Sequence, residues 1–259
     1  MTAHPIPDPV PHSRVGASTS SPVETPAYSP WARTRVKICG LTREQDVDAA
    51  VAAGVDAIGF VMYEKSPRYV TPRRAAELAR RLPPFVTPVL LFVNEETSRI
   101  VAASDHLAAG MLQFHGEESP GQCDAAARAC NRPWLRAARI PLHETASFDL
   151  VKFAADYSHA HAILLDAHVE GFGGGGKTFN WSLLPPSVNA HLVLSGGLTP
   201  ANVTEGILQV RPRGLSLAVD VSSGVEADGP GGSPLKGIKD PEKIHQFVAA
   251  VRAADQRLA

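Results

Sequence analysis

The chain has 259 residues, of which 44% are hydrophobic and 20% are charged, a composition that predicts a packed globular core. Its formal net charge of -1 offers no basic surface for a nucleic-acid partner, and no hydrophobic run approaches the ~20 residues that a membrane-spanning helix needs. Three cysteines in a chain of this length do not indicate a disulfide framework, so we expect a reducing, cytoplasmic setting.

The first 33 residues differ in composition from the rest of the chain. Seven of the first 30 are proline, and the segment lacks an apolar periodicity. It has neither the apolar centre of a secretory signal nor the composition of a transit peptide. We therefore expect a disordered extension over residues 1–33 and one catalytic domain over residues 34–259.

From Arg35 onward, short apolar runs alternate with segments of helical periodicity. The predicted strands cover residues 36–39, 57–62, 88–93, 110–115, 134–139, 161–166, 191–195 and 215–221. The predicted helices cover residues 42–53, 72–82, 97–104, 120–129, 149–155, 202–210 and 241–254, and residues 42–45 fit a capping box at the start of the first helix. Eight such units predict a (β/α)8 TIM barrel, and a doubly wound open sheet is the alternative.

Polar side chains stand where these apolar strands end. They are Cys39, Asn94, His115, Arg139, Asp166, Ser195 and the run 220–224. In a (β/α)8 barrel the carboxyl ends of the strands carry the active site. Their position directly after buried strands is therefore a stronger signal than the polarity of an ordinary surface loop.

The last two strands are followed by loops typical of a phosphate site. Gly196 and Gly197 follow the seventh strand, and Ser222 and Ser223 follow the eighth. Glycine allows a close approach of backbone N–H groups to an anion, and serine hydroxyls add donors. Either loop alone would be a weak indication, but phosphate sites in this fold commonly use both positions.

Cys39 and Asp166 are the candidates for a base and an acid. A thiolate and a carboxylic acid at the mouth of one barrel suit proton transfer at carbon combined with protonation of an oxygen. Lys37 shares the face of Cys39 and is expected to lower the pKa of the thiol, with Asp220 on the neighbouring eighth strand as its partner. For Asp166, a helix cap or a salt bridge is the structural alternative. The glycine-rich segment 171–177 is a candidate lid, and its spacing does not match a nucleotide P-loop.

These residues occur in an order that closely resembles the N-(5'-phosphoribosyl)anthranilate isomerases of tryptophan biosynthesis. The resemblance rests on residues 36–42, 59–61, 66–69, 92–94, 113–116, 164–166, 195–198 and 219–226, and on the glycine loop with Phe179 and Trp181. It implies an Amadori rearrangement of a small phosphorylated substrate without a cofactor or metal, with Cys39 as general base and Asp166 as general acid. It also implies that Arg68 holds the anthranilate carboxylate.

The same resemblance places His115 and Asp220 near the ligand and assigns the phosphate to Gly196, Gly197, Ser222 and Ser223. As the charge and hydropathy of the chain indicate, we expect no nucleic-acid or membrane partner, and we expect a monomer. The chain departs from the family pattern at residues 174–177, which lack a hydroxyl, and at residues 227–236, which lengthen a loop. Two alternatives remain open: another phosphosugar isomerase, which would carry aspartate at position 39, and a phosphate-binding barrel without catalysis.

Overall fold

Eight parallel strands close into a single barrel, in which each strand pairs with the next and the eighth pairs with the first. The structure, a computed structural model, describes residues 33–142, 148–167 and 178–258. The strands are β1 (Arg35–Cys39), β2 (Ala57–Val61), β3 (Thr87–Phe92), β4 (Met111–Phe114), β5 (Trp134–Ile140), β6 (Ala162–Ala167), β7 (His191–Leu194) and β8 (Ser216–Val221). The predicted (β/α)8 barrel is confirmed, and the open sheet is excluded because β1 and β8 are hydrogen-bonded.

Helices or a short turn connect consecutive strands. The helices are α1 (Glu44–Ala52), α2 (Pro72–Ala79), α3 (Thr97–Ser104), α4 (Pro120–Cys130), α5 (Leu150–Asp156), α6 (Val203–Val210) and α7 (Pro241–Leu258). Among the described residues between β6 and β7, Trp181–Leu183 form a 3-10 turn. Proline at the first position of α2, α4 and α7 suits its fixed φ, since the N–H that it lacks would have no partner there.

The predicted capping box at the start of α1 is wrong. The helix begins at Glu44, and its N-cap residue Arg43 makes no side-chain cap. The hydroxyl of Thr42 instead donates to the carbonyl of Gly237 at 2.7 Å. The Thr42 side chain, which the local sequence assigned to capping the helix, therefore makes a tertiary hydrogen bond instead.

The long loop predicted at residues 227–236 forms a hairpin. Strand β9 (Glu226–Asp228) pairs antiparallel with β10 (Pro234–Lys239). Gly231 and Gly232 turn the chain with φ of +73° and +78°, values that favour glycine. The hairpin brings Glu226 opposite Lys239, next to the end of β8.

Side chains alternate between the two faces of the barrel wall. Those that point outward join the helices in one large core, which contains Ile38, Phe60, Phe92 and Leu165. The barrel interior holds a smaller apolar cluster of Leu135, Ala137, Leu164 and Val193. This packed floor places the remaining inward polar groups near the carboxyl ends of the strands.

Two predictions fall outside the described residues. The extension is described only at Arg33, and the glycine loop 171–177 lies within the segment 168–177, which the structure does not describe. The boundary at residue 34 therefore stays a prediction. Among the described residues, no helix combines the length and apolarity that crossing a membrane requires.

Candidate active site

Cys39 ends β1 on the inner face of the barrel and is almost fully buried. Its closest neighbour on β2 is Gly59, where an added Cβ would lie 2.7 Å from the Cys39 Sγ. A side chain at position 59 would therefore displace the thiol. Val61, Leu91 and Val93 pack with Cys39 and form a hydrophobic wall beside it.

Lys37 and Asp220 form a buried ion pair directly below the thiol. The register pairs Lys37 with Asp220, and Nζ lies 2.9 Å from Oδ1, as predicted from the sequence. Burial acts to lower the pKa of Lys37, but Asp220 and Cys39 outweigh it and raise that pKa above the ordinary value. The Ser195 hydroxyl also reaches Asp220, with Oγ 3.5 Å from Oδ2. Lys37 is therefore a fixed cation in the barrel interior.

Burial of Cys39 raises the pKa of its thiol above the ordinary value of 9.0. The charge of Lys37 acts in the opposite direction, as the sequence predicted, but it does not overcome the cost of ionising a buried thiol. Lys37 therefore has the predicted direction of effect, while the net shift of the thiol pKa is upward because burial dominates. Lys37 reduces the increase rather than reversing it.

Asp166 lies at the carboxyl end of β6 and is bonded to His115, which follows β4. The Nε2 atom of His115 is 2.9 Å from Asp166 Oδ2, and Nδ1 is 2.9 Å from the amide nitrogen of Gln113. An amide N–H that donates to Nδ1 places the proton of a neutral imidazole on Nε2, which then donates to the carboxylate. The three buried side chains form one hydrogen-bonded chain.

The two predicted phosphate loops adjoin one another. A Cβ added at Gly224 would lie only 1.9 Å from the carbonyl oxygen of Leu198, so the loop after β8 packs on the loop after β7. Gly196 and Gly197 have φ of +78° and +65°, and a Cβ at Gly196 would lie 2.9 Å from Asp166 Oδ1. The first loop therefore touches the candidate acid.

The second loop reaches the other candidate catalytic residue. Ser222 Oγ donates to the backbone carbonyl of Cys39 at 3.1 Å. Ser223 begins a short 3-10 turn, Ser223–Val225, immediately after it. The structure thus brings both predicted phosphate loops, Cys39 and Asp166 together at one end of the barrel.

Arg68 lies over the end of β1, where an added Cβ at Gly40 would be 2.6 Å from Arg68 Cδ. Its Nε and Nη2 atoms donate to the two carboxylate oxygens of Glu226 at 2.7 and 2.8 Å. The family resemblance implies a carboxylate-binding role for Arg68, and the structure shows one edge of its guanidinium bonded to an internal carboxylate. Its position beside Cys39 agrees with a place in the site.

The chemistry of the site is that of a thiol, carboxylates, an imidazole and backbone donors. No group of three His, Cys, Asp or Glu side chains in the described part of the chain is arranged to hold a metal ion. Asn94, another polar strand-end residue, accepts a bond from the N–H of Glu117 at 2.6 Å. It therefore stabilises a neighbouring loop.

The comparisons with known proteins agree with this geometry. Residues 36–250 match the family model of N-(5'phosphoribosyl)anthranilate (PRA) isomerase. Over 227 residues the chain is 60% identical to the N-(5'-phosphoribosyl)anthranilate isomerase of Methylibium petroleiphilum. This alignment covers 88% of this chain and 98% of that relative. The chain belongs to the PRA isomerase family.

Solved PRA isomerase structures share the whole barrel. The enzyme of Thermotoga maritima superposes with a TM-score of 0.71 at 40% identity, over 85% of this chain and 99% of that one. A second, with a TM-score of 0.69 at 37% identity and the same coverage, was solved in complex with reduced 1-(o-carboxyphenylamino)-1-deoxyribulose 5-phosphate. The resemblance inferred from the sequence motifs is confirmed.

Four residues of this PRA isomerase site were not assigned a role from the sequence. Gly59, Gln113 and Glu226 stood inside the motifs, and Lys239 is the last residue of β10. A glycine within a strand does signal a close approach, so Gly59 could have been found. Gln113, Glu226 and Lys239 carried no such signal, because their importance depends on partners that are distant along the chain.

Proposed function

We propose that the protein converts N-(5'-phosphoribosyl)anthranilate into 1-(2-carboxyphenylamino)-1-deoxyribulose 5-phosphate, with Cys39 as general base and Asp166 as general acid. The observation that carries the proposal is the joining of both residues to one pair of loops. Gly196 of the first loop adjoins Asp166, and Ser222 of the second loop is bonded to Cys39. A phosphate anchored there would hold its sugar between the acid and the base.

Ring opening is the first step. Asp166 donates its proton to the furanose ring oxygen, the bond between that oxygen and C1' breaks, and the nitrogen lone pair forms the Schiff base. Asp166 is left as a carboxylate, which the Nε2–H of His115 stabilises through the 2.9 Å contact. His115, predicted to lie at the ligand, thereby acts through Asp166.

Proton removal from carbon is the second step. The Cys39 thiolate takes the C2' proton, and the electron pair moves toward the imine nitrogen to give an enolamine, which tautomerises to the ketone. The substrate's own imine accepts the electrons, so the reaction needs no cofactor. A thiolate in a buried site is a strong base, and the positive charge of Lys37 limits the cost of forming it.

The remaining residues hold the two ends of the substrate. Backbone N–H groups of Gly196 and Gly197 and the hydroxyls of Ser222 and Ser223 bind the phosphate. Arg68 binds the anthranilate carboxylate, and the hydrophobic wall of Val61, Leu91 and Val93 faces the aromatic ring. Asp220 contributes through Lys37 and Ser195.

One chain supplies all of these residues, so the chemistry needs no second copy and the protein acts as a monomer. It works in the cytoplasm on a small phosphorylated substrate, with no nucleic-acid or membrane partner. Light scattering during gel filtration should return about the 27.5 kDa of a single chain. A measured mass of two chains at micromolar protein concentration would overturn the proposal that the protein is a monomer.

The activity is tested with substrate formed enzymatically from anthranilate and phosphoribosyl pyrophosphate, whose fluorescence the wild-type protein should consume. Cys39→Ser and Asp166→Asn should each lower kcat at least 100-fold, about the least that general acid and base catalysis contributes. Cys130→Ser and Asp156→Asn alter the same residue types on helices α4 and α5 and should leave kcat unchanged. Wild-type turnover in both site variants would refute the assignment.

A further inference from the structure

Glu226 is a fully buried carboxylate whose oxygens are surrounded by donors. Arg68 binds both oxygens, and Oε1 also accepts the N–H of Gly237 at 2.8 Å and lies 3.4 Å from Lys239 Nζ. Burial acts to raise the pKa of Glu226, but these partners overcome it and hold the pKa below its ordinary value. The carboxylate is therefore ionised, and both of its oxygens are bonded to partners inside the protein.

A guanidinium can bind a carboxylate through either of two edges. One edge consists of Nε and one terminal nitrogen, and the other consists of the two terminal nitrogens. Glu226 occupies the first edge of Arg68. Among the described residues, Nη1 of Arg68 has no hydrogen-bond partner, and the side chain keeps an exposed fraction of 8%. The second edge is the one left for a ligand.

We infer that Glu226 is a positioning residue that holds Arg68 with its Nη1–Nη2 edge toward the barrel mouth, where that edge receives the carboxylate of the substrate. The inference deepens the proposed function, on which it rests. It assigns the recognition of the aryl carboxylate to a pair of residues 158 positions apart rather than to Arg68 alone.

The hairpin β9–β10 connects this arrangement to two neighbouring loops. Glu226 and Lys239 stand opposite each other at its base, and Gly237 between them is bonded to Thr42 of the loop after β1. Lys239 Nζ lies 2.9 Å from the carbonyl oxygen of Ser222. The group that orients Arg68 is thus attached to the phosphate loop, so the hairpin sets the separation of the two anion-binding regions.

The local charges favour an incoming anion. Arg68 and Lys239 are two cations that share the single negative charge of Glu226, which leaves the cluster with an excess of positive charge while Lys239 is protonated. Burial lowers the pKa of Lys239 to about 8. A substrate carboxylate on Arg68 would balance this charge without displacing Glu226, whose four hydrogen-bonding contacts oppose its departure.

The test compares two substrates that differ only in the ring carboxylate, N-(5'-phosphoribosyl)anthranilate and N-(5'-phosphoribosyl)aniline. Glu226→Gln keeps the size of the side chain but presents an amide to Arg68. It should lower kcat/KM for the carboxylated substrate about 10- to 100-fold, as expected when a charge-assisted hydrogen bond is lost. The loss should appear mainly in KM. For the aniline substrate kcat/KM should stay within about twofold of wild type.

Two further variants separate the possible failures. Asp255→Asn breaks an arginine–carboxylate pair with Arg211 near Thr34, at the other end of the barrel, and should leave the selectivity between the substrates unchanged. Arg68→Met should abolish that selectivity. If Arg68→Met preserves it, the proposed role of Arg68 fails. If Arg68→Met abolishes the selectivity but Glu226→Gln preserves it, the positioning role of Glu226 fails.

Equal losses on both substrates in Glu226→Gln would mean a merely structural residue and would overturn the inference. Tighter binding of the carboxylated substrate would also overturn it, because Glu226 would then be a competitor that the substrate displaces. If Glu226→Gln does not fold, Glu226→Asp serves instead. Aspartate keeps the charge but withdraws it by one methylene, and the same loss, confined to the carboxylated substrate, is expected.

Discussion

The two halves of the barrel mouth support their reactive groups by different means. On the β1 and β8 side, Cys39 stands above the ion pair of Lys37 and Asp220. On the β4 and β6 side, Asp166 ends a chain of hydrogen bonds that begins at Gln113 and passes through His115. Charge supports the proposed base, and directed hydrogen bonding supports the proposed acid.

The difference follows from the protonation state that each group must reach in its proposed role. A buried thiol resists ionisation, and a nearby cation offsets that resistance without a precise geometry. A carboxylic acid that delivers a proton needs one oxygen held and the other open. A hydrogen bond to Oδ2 leaves Oδ1 beside Gly196 for the transfer. Changes to the first half should therefore act through electrostatics, and changes to the second through orientation.

The largest effect is expected from Lys37→Met. This variant leaves Asp220 as an unpaired buried charge, which should lower the free energy of unfolding by about 3–5 kcal/mol in urea titrations. It should also raise the pKa of Cys39 further, because Lys37 opposes the increase caused by burial. Alkylation of the thiol in a Cys130→Ser background measures that change.

The double variant Lys37→Met/Asp220→Asn separates the two consequences. Removing both charges should restore much of the stability, since no unpaired buried charge remains. The double variant also loses Asp220, whose charge raises the pKa of Cys39, so its thiol should ionise more readily than in Lys37→Met. An unchanged thiol pKa in Lys37→Met itself would refute the electrostatic role of Lys37.

The next effect is expected from Gly59→Ala. The new Cβ would lie 2.7 Å from the Cys39 Sγ and should cost about 1–3 kcal/mol of stability through overpacking, together with a fall in kcat as the thiol is displaced. Gly121→Ala in helix α4 is the matched control, because no atom lies within 4 Å of its added Cβ. A neutral result at position 59 would contradict the close packing of β1 and β2 at the thiol.

A smaller effect is expected from Gln113→Leu, which removes the donor to His115 Nδ1. We expect kcat to fall about tenfold, the equivalent of one net hydrogen bond, with KM unchanged because no substrate contact is lost. The 15N chemical shifts of the His115 ring should change from values typical of one dominant tautomer to averaged values typical of a mixture of both. A parallel rise in KM with unaltered shifts would contradict an orienting role.

The smallest effect concerns pH. Because the pKa of Cys39 is raised in the folded state, its contribution to stability is fully present below about pH 9 and is lost as the pH rises through the folded value. Relative to Cys39→Ser, the wild-type free energy of unfolding should therefore decrease above pH 9, by at most about 1.4 kcal/mol per pH unit. A difference that stays constant from pH 7 to 10.5 would contradict the raised pKa.

The sequence by itself determined the architecture and the ends of the strands. Periodicity alone predicts eight alternating units, and closure of the barrel makes β1 and β8 neighbours. The pairing of Lys37 with Asp220 follows from that adjacency and was found in the structure. Cys39 and Asp166 could be selected because a polar residue that ends a buried strand is unusual.

Only the tertiary structure decided the pairing of groups whose partners are distant along the chain. The bond of Arg68 to Glu226, the transfer of the Thr42 hydroxyl to Gly237 and the hairpin at 226–239 each depend on loops that meet at the barrel mouth. The direction of the Cys39 pKa shift likewise depends on how deeply the thiol is buried. Local sequence specifies propensity and alternation, whereas burial and long-range pairing arise when the barrel closes.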